Sequence, residues 1–406
     1  PIVEEKLRRV LIRVRDSRLA SAVTDLGGGG LAVAVTELAG RAGGGARILL
    51  DNVHLRERSL LPWEIWISES QERMLFVVSK NLIDDFMEVV SEEELTASII
   101  GELTSDGWLK IFYDGSLVCD VEVDFLLHPP KVVRKALLVK RDLVEPVFKE
   151  PDDYEELLCG LLSSPNICSR ESVIRTYDHE VQGNTLVKPL TGSYDGPSDG
   201  VVLKPFDDSW KGITISLGIK PWFSKIDPYW MAASSLEEAL RNNVVLGGRR
   251  IALLDNFTWG NPENPERLGS LVKAVEACHD YALAFDVPFI SGKDSLYNES
   301  PLGPVLDTLL ITAVGVIPDV REAVTLDFKA PGNPIYLIGL TYPELGASQY
   351  YAYLGYVGAS VPKVDASASK INMDFLLNAL DSGYIAASHD LSDGGLAISL
   401  SEMAFS

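Results

Sequence analysis

A fifteen-residue pattern occurs twice in this chain. Asp25-Leu-Gly-Gly-Gly-Gly-Leu-Ala-Val-Ala-Val-Thr-Glu-Leu-Ala39 aligns without a gap on Asp390-Leu-Ser-Asp-Gly-Gly-Leu-Ala-Ile-Ser-Leu-Ser-Glu-Met-Ala404, and eight of the fifteen positions coincide. Average composition gives about one coincidence over such a length, and the mismatches Val/Ile, Val/Leu, Leu/Met and Thr/Ser conserve size. A duplicated folding unit is the economical explanation. Each copy reads as an extended approach, an Asp, a glycine turn and a helix, with Leu31, Val35 and Leu38 on one helical face. Such a turn presents backbone N–H groups, so a neighbouring carboxylate can hold a cation while the amides receive phosphate. A tight strand-to-helix connection without a ligand accounts for the same residues.

About a hundred residues separate the first copy from a charged boundary at Lys140-Arg141-Asp142, whereas two residues follow the second copy. The second copy's domain therefore reads as cut short. With Pro1 in first place and no basic-then-apolar leader, the chain reads as a fragment at both ends. Its 406 residues suit two to three domains. Between the copies lie a Pro/Gly-interrupted segment from about 150 to 328 and a new start at Gly332-Asn-Pro-Ile-Tyr-Leu-Ile-Gly339, a buried-strand pattern after a turn.

Leu7, Val10, Leu11 and Val14 predict a core-facing amphipathic helix within residues 3–20. Arg47–Leu50 and Arg73–Val78 predict strands flanking a short helix that starts near Pro62. Ser68-Glu69-Ser70-Gln71-Glu72 precedes the second of these strands, where α/β architectures place ligand contacts. A solvated helix C-terminus is the alternative. Arg250–Leu254 predicts a strand ending in Asp255-Asn256. Asn264-Pro265-Glu266 then caps a helix with an apolar stripe at Leu268, Leu271, Val272 and Val275. Val287–Ile290 supplies the next strand, which runs into Ser291-Gly292-Lys293-Asp294-Ser295. A P-loop is excluded, because Val287 stands where the first Gly belongs and Asp294 intrudes before the Ser.

Charge and composition exclude other classes. The 58 acidic and 36 basic side chains leave a net charge of −22, which repels phosphate backbones and anionic lipid, so nucleic acid is not expected as a main partner. The longest apolar stretch, Leu309–Ile317, is too short to span a bilayer. The four cysteines form no CxxC, so neither zinc nor a disulfide framework is indicated, and a reducing cytoplasm is the expected compartment. His179 and His389 could each act as a general base or simply pack. No Ser/His/Asp order or Cys/His pair marks a hydrolase.

Six motifs in order resemble one family. They are Asp25–Leu31, Ser68–Met74, Tyr177-Asp-His-Glu-Val-Gln-Gly-Asn-Thr185, Asp255–Glu266, Ser291–Glu299 and His389–Gly395. Together they resemble the synthetase-subunit type of the phosphoribosylformylglycinamidine synthase family, within the aminoimidazole ribonucleotide synthetase superfamily. The resemblance implies an α/β (α+β) fold of tandem duplicated synthetase-like units, each pairing a barrel-forming lobe with an α/β lobe. It implies that residues 1–140 are a first C-terminal-type α/β lobe, 150–328 a second N-terminal-type barrel-forming lobe and 329–406 the start of a second C-terminal-type lobe. The first barrel-forming lobe, with the family's catalytic His, is expected outside this chain, which alone is expected to be inactive.

The implied reaction is the ATP-dependent conversion of formylglycinamide ribonucleotide (FGAR) to formylglycinamidine ribonucleotide with glutamine-derived ammonia. Mg2+ neutralises charge on the transferring phosphoryl group. By position, Asp25 matches a Mg2+ ligand, Glu69, Ser70, Gln71 and Ser295 match substrate contacts, and Asp255 and Gly292 match nucleotide contacts. Lys293 stands where many members carry a metal-binding Asn. An ammonium cannot ligate Mg2+, so Lys293 is expected to face a phosphate oxygen or a carboxylate such as Asp294, unless it is a plain surface lysine. Ammonia is expected from a separate glutaminase subunit, joined through a small bridging subunit. Another ATP-binding synthetase or kinase of the superfamily, or a nonenzymatic nucleotide-binding scaffold, remains as an alternative.

Overall fold

The computed structural model describes residues 2–176 and 179–406, so Tyr177 and Asp178 of the third motif lie outside the described residues. The chain divides into two units, residues 1–133 and 134–406.

Unit 1 opens with α1 (Ile2–Asp16), whose Val10 and Val14 are buried as the spacing predicts. Then come β1 (Ala22–Asp25), α2 (Gly30–Arg41), β2 (Gly45–Leu49), α3 (Pro62–Ile67), β3 (Met74–Val77), α4 (Ile83–Glu92), β4 (Gly101–Thr104), β5 (Trp108–Tyr113), β6 (Ser116–Glu122) and α5 (Val123–Leu127). Pro62 takes the first position of α3, where its missing N–H costs nothing. The sheet order is β4-β2-β5-β6, with β2 and β5 parallel. A separate antiparallel pair, β1 with β3, places Asp25 opposite Met74. Leu31, Val35 and Ala39 of α2 pack with Ile48, Leu109 and Ile111 of this sheet, so the repeat's helix is rooted in the core.

Unit 2 comprises α6 (Tyr154–Leu162), α7 (Glu171–Ile174), β7 (Thr185–Val187), β8 (Leu190–Thr191), β9 (Gly196–Pro197), β10 (Gly200–Leu203), β11 (Gly212–Ile219), α8 (Pro228–Val245), β12 (Arg249–Thr258), α9 (Pro265–Phe285), β13 (Phe289–Ser295), β14 (Glu299–Ser300), β15 (Gly303–Pro304), β16 (Thr308–Ile317), α10 (Gln349–Tyr353), α11 (Ala366–Asp381) and α12 (Gly395–Phe405). Six strands form one mixed sheet in the order β13-β12-β16-β11-β10-β7, and only β12 and β13 run parallel. β13 and β7 stand at the two ends of this strand order. One face of the sheet carries α8. On β11, Gly212, Thr214, Ser216 and Gly218 turn to the buried side, and small residues there let the helix approach closely. A Cβ at Gly218 would lie 2.0 Å from the Ser235 carbonyl oxygen of α8.

Two sequence expectations need correction. Asn264 does cap α9, accepting from the N–H groups of Glu266 and Arg267. Leu271 of the predicted stripe packs against the core, but the fully buried face of α9 is Gly269, Ala274, Ala277, Cys278, Tyr281 and Phe285, while Val272 and Val275 are 39% and 49% exposed. The partner helix α8 is itself alanine-rich at Ala232, Ala233 and Ala239, and close helix packing selects small residues over the larger aliphatic stripe. Residues 332–339 form no strand, and Ile335, Tyr336 and Leu337 are exposed. An apolar run becomes a strand only where a neighbouring edge accepts its hydrogen bonds, and no described strand pairs with it.

Candidate functional site

In unit 1 the first repeat copy makes an open turn. Asp25 closes β1 at an exposed position, and its carboxylate forms no hydrogen bond or ion pair among the described residues. Gly29 and Gly30 follow at φ +76° and +56°, the left-handed region that glycine enters without steric cost, and α2 starts there. A Cβ on Gly30 would lie 2.1 Å from the Ser68 carbonyl oxygen, so this glycine also permits a close approach.

What approaches is the segment predicted to contact ligand. Glu69 Oε1 accepts a hydrogen bond from the Gly29 N–H at 2.9 Å. The Ser68 and Ser70 hydroxyls lie 3.0 Å apart, and Gln71 Nε2 donates to the Glu69 carbonyl at 2.6 Å. Glu69, Ser70 and Gln71 are all exposed. The structure thus joins Asp25 and the Glu69–Gln71 triplet within one unit. Sequence reasoning passed over Arg73, whose Nε donates to the Ser70 carbonyl at 2.7 Å and whose Nη2 donates to the Ser68 carbonyl.

Unit 2 collects the other predicted residues on the parallel pair β12–β13. The register sets Asp255 beside Gly292, Asn256 beside Lys293 and Thr258 beside Ser295. The Asp255 carboxylate leans over Gly292, where a Cβ would lie 2.2 Å from Oδ1. Burial pushes the Asp255 carboxyl up, while the Lys293 backbone N–H opposes that rise. Lys293 is exposed and makes no ion pair with Asp294, contrary to the carboxylate option. Ser295 is half-buried and fixed by Asn298, whose Nδ2 donates to the Ser295 carbonyl at 2.6 Å and to the Trp259 carbonyl at 3.0 Å.

The second repeat copy, also in unit 2, is closed. It has no strand before Asp390, which is 5% exposed and lies 3.3 Å from Arg241 Nη2. His389 Nδ1 lies 2.7 Å from Asp199 and Nε2 lies 2.9 Å from Glu402. Lys220 Nζ sits 2.6 Å from Glu238 Oε1 and 3.4 Å from Asp393, an ion pair by distance though not by hydrogen-bond angle. Arg241 also pairs with Glu237 at 2.5 Å. Asp199, His389 and Asp390 come close enough together by distance to surround a cation, but an imidazole bound to a carboxylate through each nitrogen has no lone pair left to ligate one. Both ring nitrogens of His389 are already taken by carboxylates, so His389 is an imidazolium partner here and not a general base. Burial alone would push that imidazole down, but the hydrogen-bonded Asp199 and Glu402 overcome it and raise it to about 10.

That shift predicts a pH effect. A raised histidine contributes stability that is full below its ordinary value near 6.5 and is lost as pH rises through about 10. Wild type should therefore lose more thermal stability than His389→Gln between pH 7 and 10. Parallel pH dependences in melting experiments on the two proteins would contradict the imidazolium assignment.

Comparison with known proteins follows this geometry. The AIR synthase related protein C-terminal domain matches residues 1–114 and 330–406, which include both repeat copies, and the AIR synthase related protein N-terminal domain matches residues 198–317. Over 407 residues the chain is 35% identical to phosphoribosylformylglycinamidine synthase subunit PurL of Thermoplasma acidophilum, covering 100% of this chain and 53% of that protein. Against PurL of Picrophilus torridus it is 38% identical over 410 residues, covering 100% of this chain and 54% of that protein. The solved T. maritima PurL complexed with FGAR superposes with a TM-score of 0.62 at 26% identity, over 80% of this chain and 49% of that one. The same protein complexed with ATP gives 0.61 at 25% identity, over 79% and 50%. The chain belongs to the PurL family of AIR synthase related proteins, and it spans about half the length of the curated relatives it matches. No helix among the described residues is long and apolar enough to cross a membrane.

Proposed function

We propose that this chain supplies FGAR and ATP contacts to a phosphoribosylformylglycinamidine synthase. The whole protein would convert FGAR, ATP and ammonia into formylglycinamidine ribonucleotide, ADP and phosphate. The observation that carries this reading is the 2.9 Å hydrogen bond from the Gly29 N–H to Glu69, which seats the substrate-type triplet on the turn that bears Asp25. The similarity to T. maritima PurL, solved with ATP and with FGAR, supports the same ligand pair. The matched domains support reading 1–140 and 329–406 as C-terminal-type lobes and 150–328 as an N-terminal-type lobe.

The residues of the first copy suit Mg2+. A lone open carboxylate is a fitting hard-oxygen ligand for an ion that keeps most of its waters and takes its remaining ligands from phosphate. Asp25 would hold it, and when bound it supplies charge neutralisation to the phosphoryl group. Ser70 and Gln71 offer a hydroxyl and an amide to orient the ribonucleotide. Gly292 lets the Asp255 carboxylate lie close over the β13 main chain, where the two would contact the nucleotide together, and Asn298 holds Ser295 for a substrate contact. Burial pushes the Cys278 thiol up to about 12, which suits packing and not nucleophilic attack on glutamine. Ammonia would arrive from a separate glutaminase subunit through a bridging subunit.

The test is phosphate release by the full-length protein with ATP, Mg2+, ammonium and FGAR; release indifferent to FGAR would reject the reading. Lys293 allows a narrower check. An exposed ammonium on β13, without an ion pair among the described residues, suits a phosphate contact, so Lys293→Met should raise KM for ATP or FGAR roughly 3- to 10-fold, the scale of one charge-assisted contact. Its Tm should stay close to wild type, and unchanged KM values for both substrates would leave a plain surface lysine.

A further inference from the structure

The Ser68–Gln71 segment has no regular structure of its own, yet it must keep one shape to present Ser70 and Gln71 beside the Asp25 turn. Two of its carbonyls, those of Ser68 and Ser70, converge on one guanidinium. Arg73 donates from Nε to the Ser70 oxygen at 2.7 Å and from Nη2 to the Ser68 oxygen. The main chain of Arg73 is fixed as well, because its carbonyl accepts from the Leu26 N–H at 3.2 Å, next to Asp25. Glu72 turns the chain at φ +55°, a conformation that costs a non-glycine residue about 1 kcal/mol or more and persists only where neighbours enforce it.

Arg73 also lacks something a half-buried arginine usually has. No carboxylate pairs with it among the described residues, and burial pushes its guanidinium down. A desolvated cation is retained here with carbonyl oxygens alone as partners. Two oxygens two residues apart match the rigid fork of a guanidinium and not the single point of an ammonium.

We infer that Arg73 is a positioning residue that clamps the Ser68 and Ser70 carbonyls and so holds Ser70 and Gln71 in their ribonucleotide-binding shape. The inference rests on the reading of Glu69–Gln71 as FGAR contacts. It assigns Arg73 no contact with ligand. The Ser68 oxygen that Arg73 holds is also the atom that the Gly30 turn approaches, so release of the clamp would loosen the loop where it meets the start of α2.

The experiment uses the full-length protein and measures FGAR binding by titration calorimetry, then steady-state kinetics. Arg73→Met should raise Kd and KM for FGAR at least 10-fold, leave KM for ATP within 2-fold, and shift Tm by only a few degrees. Arg73→Lys, which keeps the charge but can reach only one carbonyl at a time, should recover less than half of the lost affinity on a logarithmic scale. Full recovery by lysine would overturn the clamp in favour of simple charge, and wild-type FGAR affinity in Arg73→Met would overturn it outright. Failure of wild type to bind FGAR would remove the underlying reading and the inference with it. Should Arg73→Met fail to fold, the lysine variant alone decides: a wild-type KM for FGAR rejects the clamp, and a raised one with unchanged KM for ATP supports it.

Discussion

Asp25→Asn in the full-length protein is expected to lower FGAR-dependent ATP turnover by on the order of 10²-fold, the scale of one lost electrostatic contact to a developing charge. Its Tm should stay within about 2 °C of wild type. The two expectations come from the same geometry. The Asp25 carboxylate is exposed and without a partner among the described residues, and its place in β1 is set by main-chain pairing opposite Met74, which asparagine preserves. Asp390→Asn, at the equivalent point of the second copy, should show the reverse, with stability lost and turnover kept, since Asp390 is buried against Arg241. Initial rates across a Mg2+ series, with melting curves on both variants, check the pair. Undiminished turnover in Asp25→Asn would reject a metal role.

Lys220→Met should destabilise unit 2 by roughly 3–5 kcal/mol, because it strands the Glu238 carboxylate in a buried site. That corresponds to a fall in Tm on the order of 10 °C. Lys220 and Glu238 are 7% and 8% exposed in their side chains, and burial already pushes the Glu238 carboxyl up. Adding Glu238→Gln should recover most of the loss. Glutamine removes the stranded charge yet still offers an oxygen to the Ile219 N–H, which donates to Glu238 at 2.8 Å. Denaturant melts of the single and double variants measure this. A single variant within about 1 kcal/mol of wild type would mean that water reaches the pair in solution.

Much of the first-copy site was legible because its determinants are local. The Asp–glycine–helix order, the apolar face of α2 and the Pro62 start of α3 follow from residues within a few positions of one another. The closure of the second copy was not. Its Asp390 reads like Asp25 in sequence, but its fate is set by Asp199 and Arg241, which come 191 and 149 residues earlier in the chain. The role of Arg73 was hidden for another reason: its partners are main-chain carbonyls, which leave no mark in side-chain identity. On α9 the pattern of large aliphatics pointed to one face, while alanines and a cysteine supplied the other, and the partner helix decided between them.

The glycine that starts the helix in each copy carries unequal freedom to change over evolutionary time. Gly30 and Gly395 share a left-handed backbone, at φ +56° and +62°, but a side chain at 30 would evict the Ser68 carbonyl whereas the space at 395 is open. Asparagine, which tolerates that backbone, could enter position 395 at a small conformational cost. At position 30 it would also break the seat of the Ser68–Gln71 loop. Drift should therefore erase the duplication from its C-terminal copy first, and a descendant with one surviving glycine of the pair should be the one that kept Gly30.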